Sequence, residues 1–254
     1  MLLIDAKNIS FSYQKKEILK NIDFKLYKGD ILSLVGKNGC GKTTLLKIVL
    51  GILKAQGNIK IFSKNINEYK NKELAKLISY VPQTHQIPFD YTVFDVVLMG
   101  RLAHIDIFSN HSQKDKNIAL ESLEKVGILH LKDSTYSQIS GGERQLTFIA
   151  RALTQDAKII FMDEPVTGLD YGNQLKLLKF LKELAKDGYT FVKTTHYPDH
   201  ALYASNKVLM LKDGEVLDYG SVEEKLTRKN IKNLYDVDVD IISKENYKFC
   251  IPKI

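Results

Sequence analysis

The hydrophobic pattern of the first fifty residues alternates and then becomes continuous. Alternating apolar and polar positions over Leu2–Tyr13 and Ile18–Leu26 predict two strands of a small antiparallel sheet, with a polar break at residues 14–16. The unbroken apolar run Ile31–Val35 predicts a buried strand, and the amphipathic segment Lys42–Leu53 predicts a helix behind it. The order is therefore strand, loop, helix.

The middle of the chain changes to a helical period. Strands are predicted at Gly57–Phe62 and Ile78–Val81, with a short helix at Asn71–Leu77 between them. From Thr92 to Leu153 the apolar residues recur at helical spacing, which predicts an inserted helical segment of about residues 84–155.

The last third returns to alternating strands and helices. A strand at Lys158–Met162, a helix at Gln174–Asp187 and a strand at Thr190–Thr194 are followed by two further strands near residues 208–211 and 215–219. Strands alternating with helices predict a parallel sheet covered on both faces. The expected fold class is α/β, with a small N-terminal antiparallel β subdomain and an inserted α-helical subdomain. The expected organisation is one domain over residues 1–222 and a short C-terminal extension over 223–254.

Composition supports a folded chain and limits what its charge implies. The 254 residues are 44% hydrophobic and 26% charged, which excludes a disordered or fibrous protein. The net charge is 37 − 30 = +7, but nearly all of the basic residues are lysines spread along the chain. We interpret this as a lysine-rich solvated surface, and no nucleic-acid partner is expected.

Two cysteines and the lack of a long apolar run set the expected compartment. Cys40 and Cys250 are too few for a disulfide framework, which favours a reducing environment. The N-terminus lacks the apolar stretch of a secretory signal, and no run of about 20 apolar residues is present. Work at a membrane would therefore depend on a partner.

A phosphate-binding motif follows the first buried strand. Residues 36–43, Gly-Lys-Asn-Gly-Cys-Gly-Lys-Thr, match G-x-x-x-x-G-K-[ST] between a strand and a helix, as the motif requires. The glycines allow backbone N–H groups to surround phosphate oxygens, Lys42 is expected to reach the β- and γ-phosphates, and the Thr43 hydroxyl is expected to bind Mg²⁺. The candidate nucleotide ligands in this loop are Gly36, Asn38, Gly39, Cys40, Gly41, Lys42, Thr43 and Thr44. A redox switch at Cys40 is a further hypothesis, in which oxidation would block ATP binding.

Two adjacent acids end the second buried strand. Asp163 and Glu164 directly follow Ile159–Met162, at the end of a strand where open parallel sheets bind ligands. With a phosphate loop present, we assign Asp163 to Mg²⁺ and Glu164 to the attacking water as general base.

These motifs and five others resemble the nucleotide-binding subunit of ABC transporters over about residues 2–222. The resemblance implies a P-loop NTPase (RecA-like) core and ATP and Mg²⁺ as ligands. Ile139 to Gln145 is similar to that family's signature, which identifies Ser140, Gly141, Gly142 and Glu143 as ligands of the partner's nucleotide. The other matches are Tyr13 for stacking on adenine, Gln83 as the metal-linked glutamine between the core and the helical lobe, Asp170 in Gly168-Leu169-Asp170, and His196 as the switch histidine. The resemblance implies that Asp170 contacts the nucleotide and that Gln83 and His196 are catalytic residues together with Glu164.

The signature and the loop after the acid pair depart from the family's usual sequence. Ile139 stands for Leu, which has a similar apolar volume. Glu143 stands for Gln and adds an acid near the bound triphosphate, and Thr167-Gly168 replaces the usual Ser or Asn.

The resemblance also implies how the subunit works. Two copies form a head-to-tail homodimer with ATP at the interface, on the cytoplasmic face of the cell membrane. They bind two copies of a permease and, indirectly, an extracytoplasmic substrate-binding protein. Two segments, Pro88 to Arg101 and Thr195 to Ala201, resemble the corresponding segments of one importer subfamily. Members of that subfamily import iron-siderophores, haem, cobalamin or, in some cases, molybdate and tungstate.

Several alternatives stay open at this point. Molybdate or tungstate import is the alternative to a metal chelate. A soluble ABC ATPase acting on ribosomes or DNA would use the +7 charge for phosphate contacts. An exporter subunit is a third possibility. A nucleotide kinase or GTPase does not explain Ser140-Gly141-Gly142 and His196.

Overall fold

The computed structural model of the chain describes residues 1–83, 89–106, 109–245 and 247–253. Its strands are β1 (Leu2–Tyr13), β2 (Lys16–Tyr27), β3 (Ile31–Val35), β4 (Gln56–Ile61), β5 (Lys64–Asn65), β6 (Ile78–Val81), β7 (Ile159–Met162), β8 (Thr190–Thr195), β9 (Lys207–Lys212), β10 (Glu215–Ser221), β11 (Val239–Lys244) and β12 (Tyr247–Pro252). Its α-helices are α1 (Lys42–Val49), α2 (Asn71–Leu77), α3 (Val93–Leu98), α4 (Gln113–Lys125), α5 (Gly141–Thr154), α6 (Tyr171–Lys186), α7 (Pro198–Ala204), α8 (Val222–Lys225) and α9 (Arg228–Tyr235).

The predicted elements are present, with small changes at their ends. The helix predicted to reach Leu53 ends at Val49, because Gly51 takes a left-handed conformation (φ 72°) and its N–H bonds the Ile48 carbonyl. A glycine in this conformation is a common helix stop. The first residue of the predicted helical insertion, residue 84, and Pro88 lie outside the described residues.

The chain divides into two compact units, Met1–Tyr69 with Lys176–Ile254 and Lys70–Leu175. The first unit contains an antiparallel sheet with the strand order β2-β1-β4-β5. It also contains β3, which lies between β8 and β9 and is parallel to both, while β10 pairs antiparallel with β9. All five residues of β3 are buried, as expected for a central parallel strand.

The C-terminal elements belong to the first unit's core. Ile231 and Leu234 of α9 and Val239 of β11 share one buried cluster with Val35, the last residue of β3. The sequence did not predict these elements in detail. The end of β3 is therefore packed against the C-terminal segment, which supports the loop that follows it.

The second unit is mostly helical and contains the parallel pair β6 and β7. Gly100 lies where a Cβ would be 2.4 Å from the backbone oxygen of Arg151, so only glycine allows this close approach to α5. Arg101 is buried and its Nε donates to Asp115 at 2.8 Å, while its Nη1 donates to the Thr154 carbonyl at 3.1 Å. This ion pair joins the segment after α3 to α4 and α5.

Candidate nucleotide-binding site

The predicted phosphate loop forms a tight turn between β3 and α1. Gly39 and Gly41 have φ of 80° and 106°, values that residues other than glycine rarely adopt. A Cβ on Gly36 would lie 2.4 Å from the Leu211 carbonyl oxygen and 2.6 Å from Cys40 Sγ. These glycines let the loop close while its backbone faces inward.

Lys42 is held across this loop by two carbonyl groups. Its Nζ donates to the Gly36 oxygen at 2.8 Å and to the Lys37 oxygen at 3.0 Å, and the residue is only 6% exposed. Thr43 and Thr44 are half-buried in the first turn of α1. The sequence therefore brings a fixed cation and two hydroxyls to a helix N-terminus, an arrangement that favours anions.

Cys40 lies inside the loop and is buried. Burial raises the pKa of the Cys40 thiol above its ordinary value. Because the thiolate is the reactive form, the Cys40 thiol is less reactive toward oxidants than the thiol of a solvent-exposed cysteine. This disfavours the redox-switch hypothesis.

Tyr13 and His196 lie in the same unit as the phosphate loop. Tyr13, at the end of β1, is 44% exposed, and its ring packs edge-on against Phe11 at 4.8 Å between centroids. Val35 pairs with Thr195 in the parallel register of β3 and β8, so Gly36 and His196 leave the same edge of the sheet. The partial exposure of Tyr13 is compatible with stacking on adenine, which stays a prediction.

In the second unit, Gln83 and the acid pair lie together at the ends of β6 and β7. The Asp163 N–H donates to the Val81 carbonyl at 2.9 Å, and Asp163 is 3% exposed. Gln83 Nε2 donates to Glu164 Oε2 at 3.1 Å. Glu164 has a left-handed backbone, with φ of 46°, a strained conformation typical of functional positions.

The structure adds Thr167 to this group. Its Oγ1 donates to Glu164 Oε2 at 3.2 Å, so the residue that departs from the usual family sequence contacts the predicted general base. Burial, together with the charge of Asp163, raises the pKa of nearby Tyr80 to about 12, so this phenol stays protonated. The three-residue separation of Thr167 from Glu164 is a turn spacing, but the sequence alone did not indicate the contact.

The signature segment forms the N-terminus of α5. Ser140 Oγ accepts from the Glu143 N–H at 3.3 Å, and the Ser140 N–H donates to Glu143 Oε2 at 2.8 Å. This is a capping box, and its hydrogen bonds lower the pKa of Glu143. A Cβ on Gly141 would meet nothing within 4 Å, which leaves the helix end open.

Asp170 caps α6 in a similar way. Its Oδ1 accepts from the Asn173 N–H at 2.9 Å, and its Oδ2 accepts from Asn173 Nδ2 at 2.7 Å.

In the part of the chain that the structure describes, no helix is both long and apolar enough to cross a bilayer.

The strand, glycine loop and helix of the first unit form the phosphate loop of a P-loop NTPase, and the second unit carries an acid pair at the end of β7. The chain belongs to the ABC transporter family, whose model matches residues 19–167, and within that family it is an ATP-binding subunit with ATPase activity. Its α/β architecture with an antiparallel β subdomain and helical elements confirms the predicted fold class.

Three comparisons illustrate this membership. The molybdate import ATP-binding protein MolC of Haemophilus influenzae is 37% identical, over 91% of this chain and 87% of its own length. A protein named for iron chelatin transport in Helicobacter pylori is 36% identical, over 96% of this chain and 97% of its own. An inward-facing ABC transporter structure assigned to the metal-chelate type has a TM-score of 0.88 and 34% identity, with 100% of this chain and 98% of that chain covered.

Proposed function

We propose that this chain hydrolyses ATP to drive an ABC importer of a metal chelate, of the iron-siderophore, haem or cobalamin class. Import of molybdate or tungstate is the second candidate, because the molybdate relative is as similar in sequence as the iron chelatin relative. The observation that best supports catalysis is the Glu164 carboxylate, which Gln83 and Thr167 hold beside buried Asp163.

The phosphate loop supplies the binding half of the proposed reaction. Lys42 and the backbone N–H groups from Gly36 to Thr44 bind the triphosphate, and Tyr13 stacks on the adenine. Because Lys42 is already fixed by two carbonyl oxygens, its ammonium needs little reorganisation when the phosphates arrive.

The acid pair supplies the hydrolytic half. Glu164 accepts a proton from the attacking water, and the two hydrogen bonds to its Oε2 fix where the carboxylate points. His196 contacts the γ-phosphate, and Asp170 helps to arrange the loop that precedes α6.

The donor groups present suit Mg²⁺. Buried Asp163, the Gln83 amide and the Thr43 hydroxyl all offer oxygen atoms, which this hard cation prefers. We assign these three as the magnesium ligands. When bound, Mg²⁺ would neutralise charge on the β- and γ-phosphates.

The signature residues are proposed to act on the nucleotide of a second chain. Ser140, Gly141, Gly142 and Glu143 lie at an open helix N-terminus, which is suited to a phosphate group. In the proposed head-to-tail homodimer they bind the ATP held by the partner's phosphate loop. ATP binding then joins the two chains and hydrolysis releases them.

The proposed homodimer lies on the cytoplasmic face of the membrane and moves two permease subunits. Exposed apolar side chains in the second unit support a permease contact there: Phe89 is 65% exposed and Leu102 is 57% exposed. A substrate-binding protein outside the membrane would deliver the cargo to the permease.

Uptake by cells that carry this gene tests the proposal. Replacing the gene with a Lys42→Ala allele is expected to abolish uptake of radiolabelled iron chelates while the protein level is unchanged. Loss of molybdate uptake instead would establish the second candidate. Unchanged uptake of all these compounds, including haem and cobalamin, would contradict the proposed import function.

A further inference from the structure

Three aromatic rings pack in sequence just after β8. The Tyr197 ring lies 4.1 Å from the His196 ring between centroids, with 43° between their planes. It also lies 5.0 Å from the His200 ring, with 54° between their planes. Tyr197 is therefore in contact with the predicted switch histidine and with a second histidine on α7.

The backbone of Tyr197 is fixed from both directions. Its N–H donates to Thr195 Oγ1 at 3.1 Å. Pro198 follows it at the start of α7, and a residue before proline is restricted to extended backbone, here φ −104° and ψ 113°. The strand end and the helix start thus fix the direction in which the Tyr197 side chain leaves the backbone.

His200 contributes an uncharged ring that packs against Tyr197. Its Nδ1 lies 3.4 Å from Thr195 Oγ1, and its backbone oxygen accepts from the buried Lys193 Nζ at 3.2 Å. Burial, then the charges of Lys193 and His196, lower the pKa of His200 to about 4, so its imidazole is uncharged at neutral pH. A neutral ring packs against Tyr197 without the cost of burying a charge.

Core packing does not account for Tyr197, because its side chain is 52% exposed. The part that is covered faces histidine rings, and such aromatic contacts have a preferred geometry. A ring placed directly on an imidazole limits the rotamers of that imidazole.

We propose that Tyr197 is a positioning residue that holds the His196 imidazole in the orientation needed for ATP hydrolysis. The proposal rests on the proposed function, in which His196 contacts the γ-phosphate. His196 leaves the same sheet edge as the phosphate loop. A change in its ring orientation therefore changes which ring nitrogen points toward the proposed nucleotide. Misplacing a catalytic group by a small distance lowers turnover strongly.

Steady-state kinetics of the purified chain give the first test. Tyr197→Leu is expected to lower kcat for ATP about tenfold with the KM within about twofold, because nucleotide binding does not use this ring. Tyr197→Phe retains the ring and is expected to keep kcat within about twofold of the wild type. The matched control is Tyr203→Leu on α7, which removes a ring that packs on Lys182 and should leave kcat unchanged.

Proton NMR of the histidine rings gives the second test, in the protein without nucleotide. The ring of a neighbouring tyrosine shifts the resonances of ring protons close to it, so Tyr197→Leu should move the His196 resonances and Tyr203→Leu should not. The resonances of the exposed His130 should not move in either variant. The resonance is assigned with His196→Gln. This test does not require that His196 act on ATP.

The outcomes separate this inference from the proposed function. Full kcat in His196→Ala would contradict the proposed role of His196 itself. Reduced kcat in His196→Ala with full kcat in Tyr197→Leu would overturn the positioning role alone. A Tyr197→Phe variant as slow as Tyr197→Leu, or unmoved His196 resonances in Tyr197→Leu, would also overturn it.

Discussion

Two glutamates of the second unit show how local contacts give the same residue type different tasks. Glu143 bonds its own helix N-terminus through the Ser140 N–H, which lowers its pKa and turns its carboxylate toward the helix end. The sequence suggested an extra acid near the triphosphate, and in the structure this carboxylate bonds the helix end that is proposed to face that triphosphate. The Glu164 carboxylate instead accepts hydrogen bonds from two side chains, and the backbone of Glu164 is strained. Both features are expected for a residue that takes part in catalysis.

Glu164→Gln is expected to lower ATP turnover roughly 10²-fold or more while ATP still binds. Glutamine keeps an oxygen that can accept from Gln83 and Thr167, but it does not take a proton from water. Phosphate release and calorimetric ATP binding measure the two effects separately. The control is Glu183→Gln on the exposed face of α6, and equal turnover in both variants would remove Glu164 from the base role.

Lys193 is buried on β8 and gives a pH dependence of stability. Burial lowers its pKa from 10.5 to about 7 in the folded chain, and its Nζ donates to a carbonyl, that of His200. Between these two values the unfolded chain binds more protons than the folded chain. The lysine's contribution to the free energy of unfolding therefore rises as the pH increases from about 7 to about 10, by up to about 1.4 kcal/mol per pH unit.

Lys193→Met is expected to be more stable than the wild type at pH 7, and this advantage should shrink as the pH rises to 9. The methionine fills similar space without a charge to bury. Denaturant midpoints of both proteins at pH 7, 8 and 9 measure the difference. A constant difference across this range would mean that the pKa of Lys193 in the folded chain is not lowered from its ordinary value.

At the scale of elements, the strands and site residues that could be predicted are those whose sequence pattern lies within a few consecutive residues. Ile31–Val35 with its following glycines, and Ile159–Met162 with its acids, each contain both a strand and its chemistry within a few residues. The contacts that could not be predicted join distant residues or depend on side-chain direction. Arg101 with Asp115 and Gln83 with Glu164 are separated along the chain, and nothing in either segment alone identifies the other.

Helices α3 and α4 begin with the same capping arrangement but have different partners. Asp95 bonds the Thr92 N–H, and Asp115 bonds the Ser112 N–H in the same way. Asp115 also accepts from buried Arg101, and the Ser112 hydrogen bond and this guanidinium hold the pKa of its carboxyl well below the usual range. The two helix starts therefore form a matched pair.

Asp115→Asn is expected to destabilise the chain by about 3–5 kcal/mol, because it leaves the Arg101 charge buried without its carboxylate. Asp95→Asn alters only a cap and should cost about 1 kcal/mol. Thermal unfolding of both variants checks the comparison. Equal losses would mean that the cap, and not the buried ion pair, accounts for the effect of Asp115.

At the scale of the whole molecule, the predicted site residues are divided between the two units. The phosphate loop, Tyr13 and His196 belong to the first unit, while Gln83, the acid pair and the signature belong to the second. Experiment can distinguish two arrangements, in which the signature serves either the ATP of its own chain or the ATP of a second copy. The proposed head-to-tail homodimer makes a definite choice between these arrangements.

Mixing two inactive variants tests that choice. Lys42→Ala disables the phosphate loop and Ser140→Arg blocks the signature, so each variant alone should be inactive. In a head-to-tail dimer of one copy of each, the intact loop of the Ser140→Arg chain faces the intact signature of the Lys42→Ala chain. Since half of the dimers in an equal mixture are mixed and each holds one intact site of two, turnover should recover to about one quarter of the wild type.

The control for this mixture is a chain that carries both substitutions, combined with either single variant. No pairing of these chains brings an intact loop to an intact signature, so turnover should stay at the background. If each chain instead completed its own site, Lys42→Ala with Ser140→Arg would also stay inactive. Recovery in the first mixture and its absence in the control is therefore the result that only a shared, head-to-tail site produces.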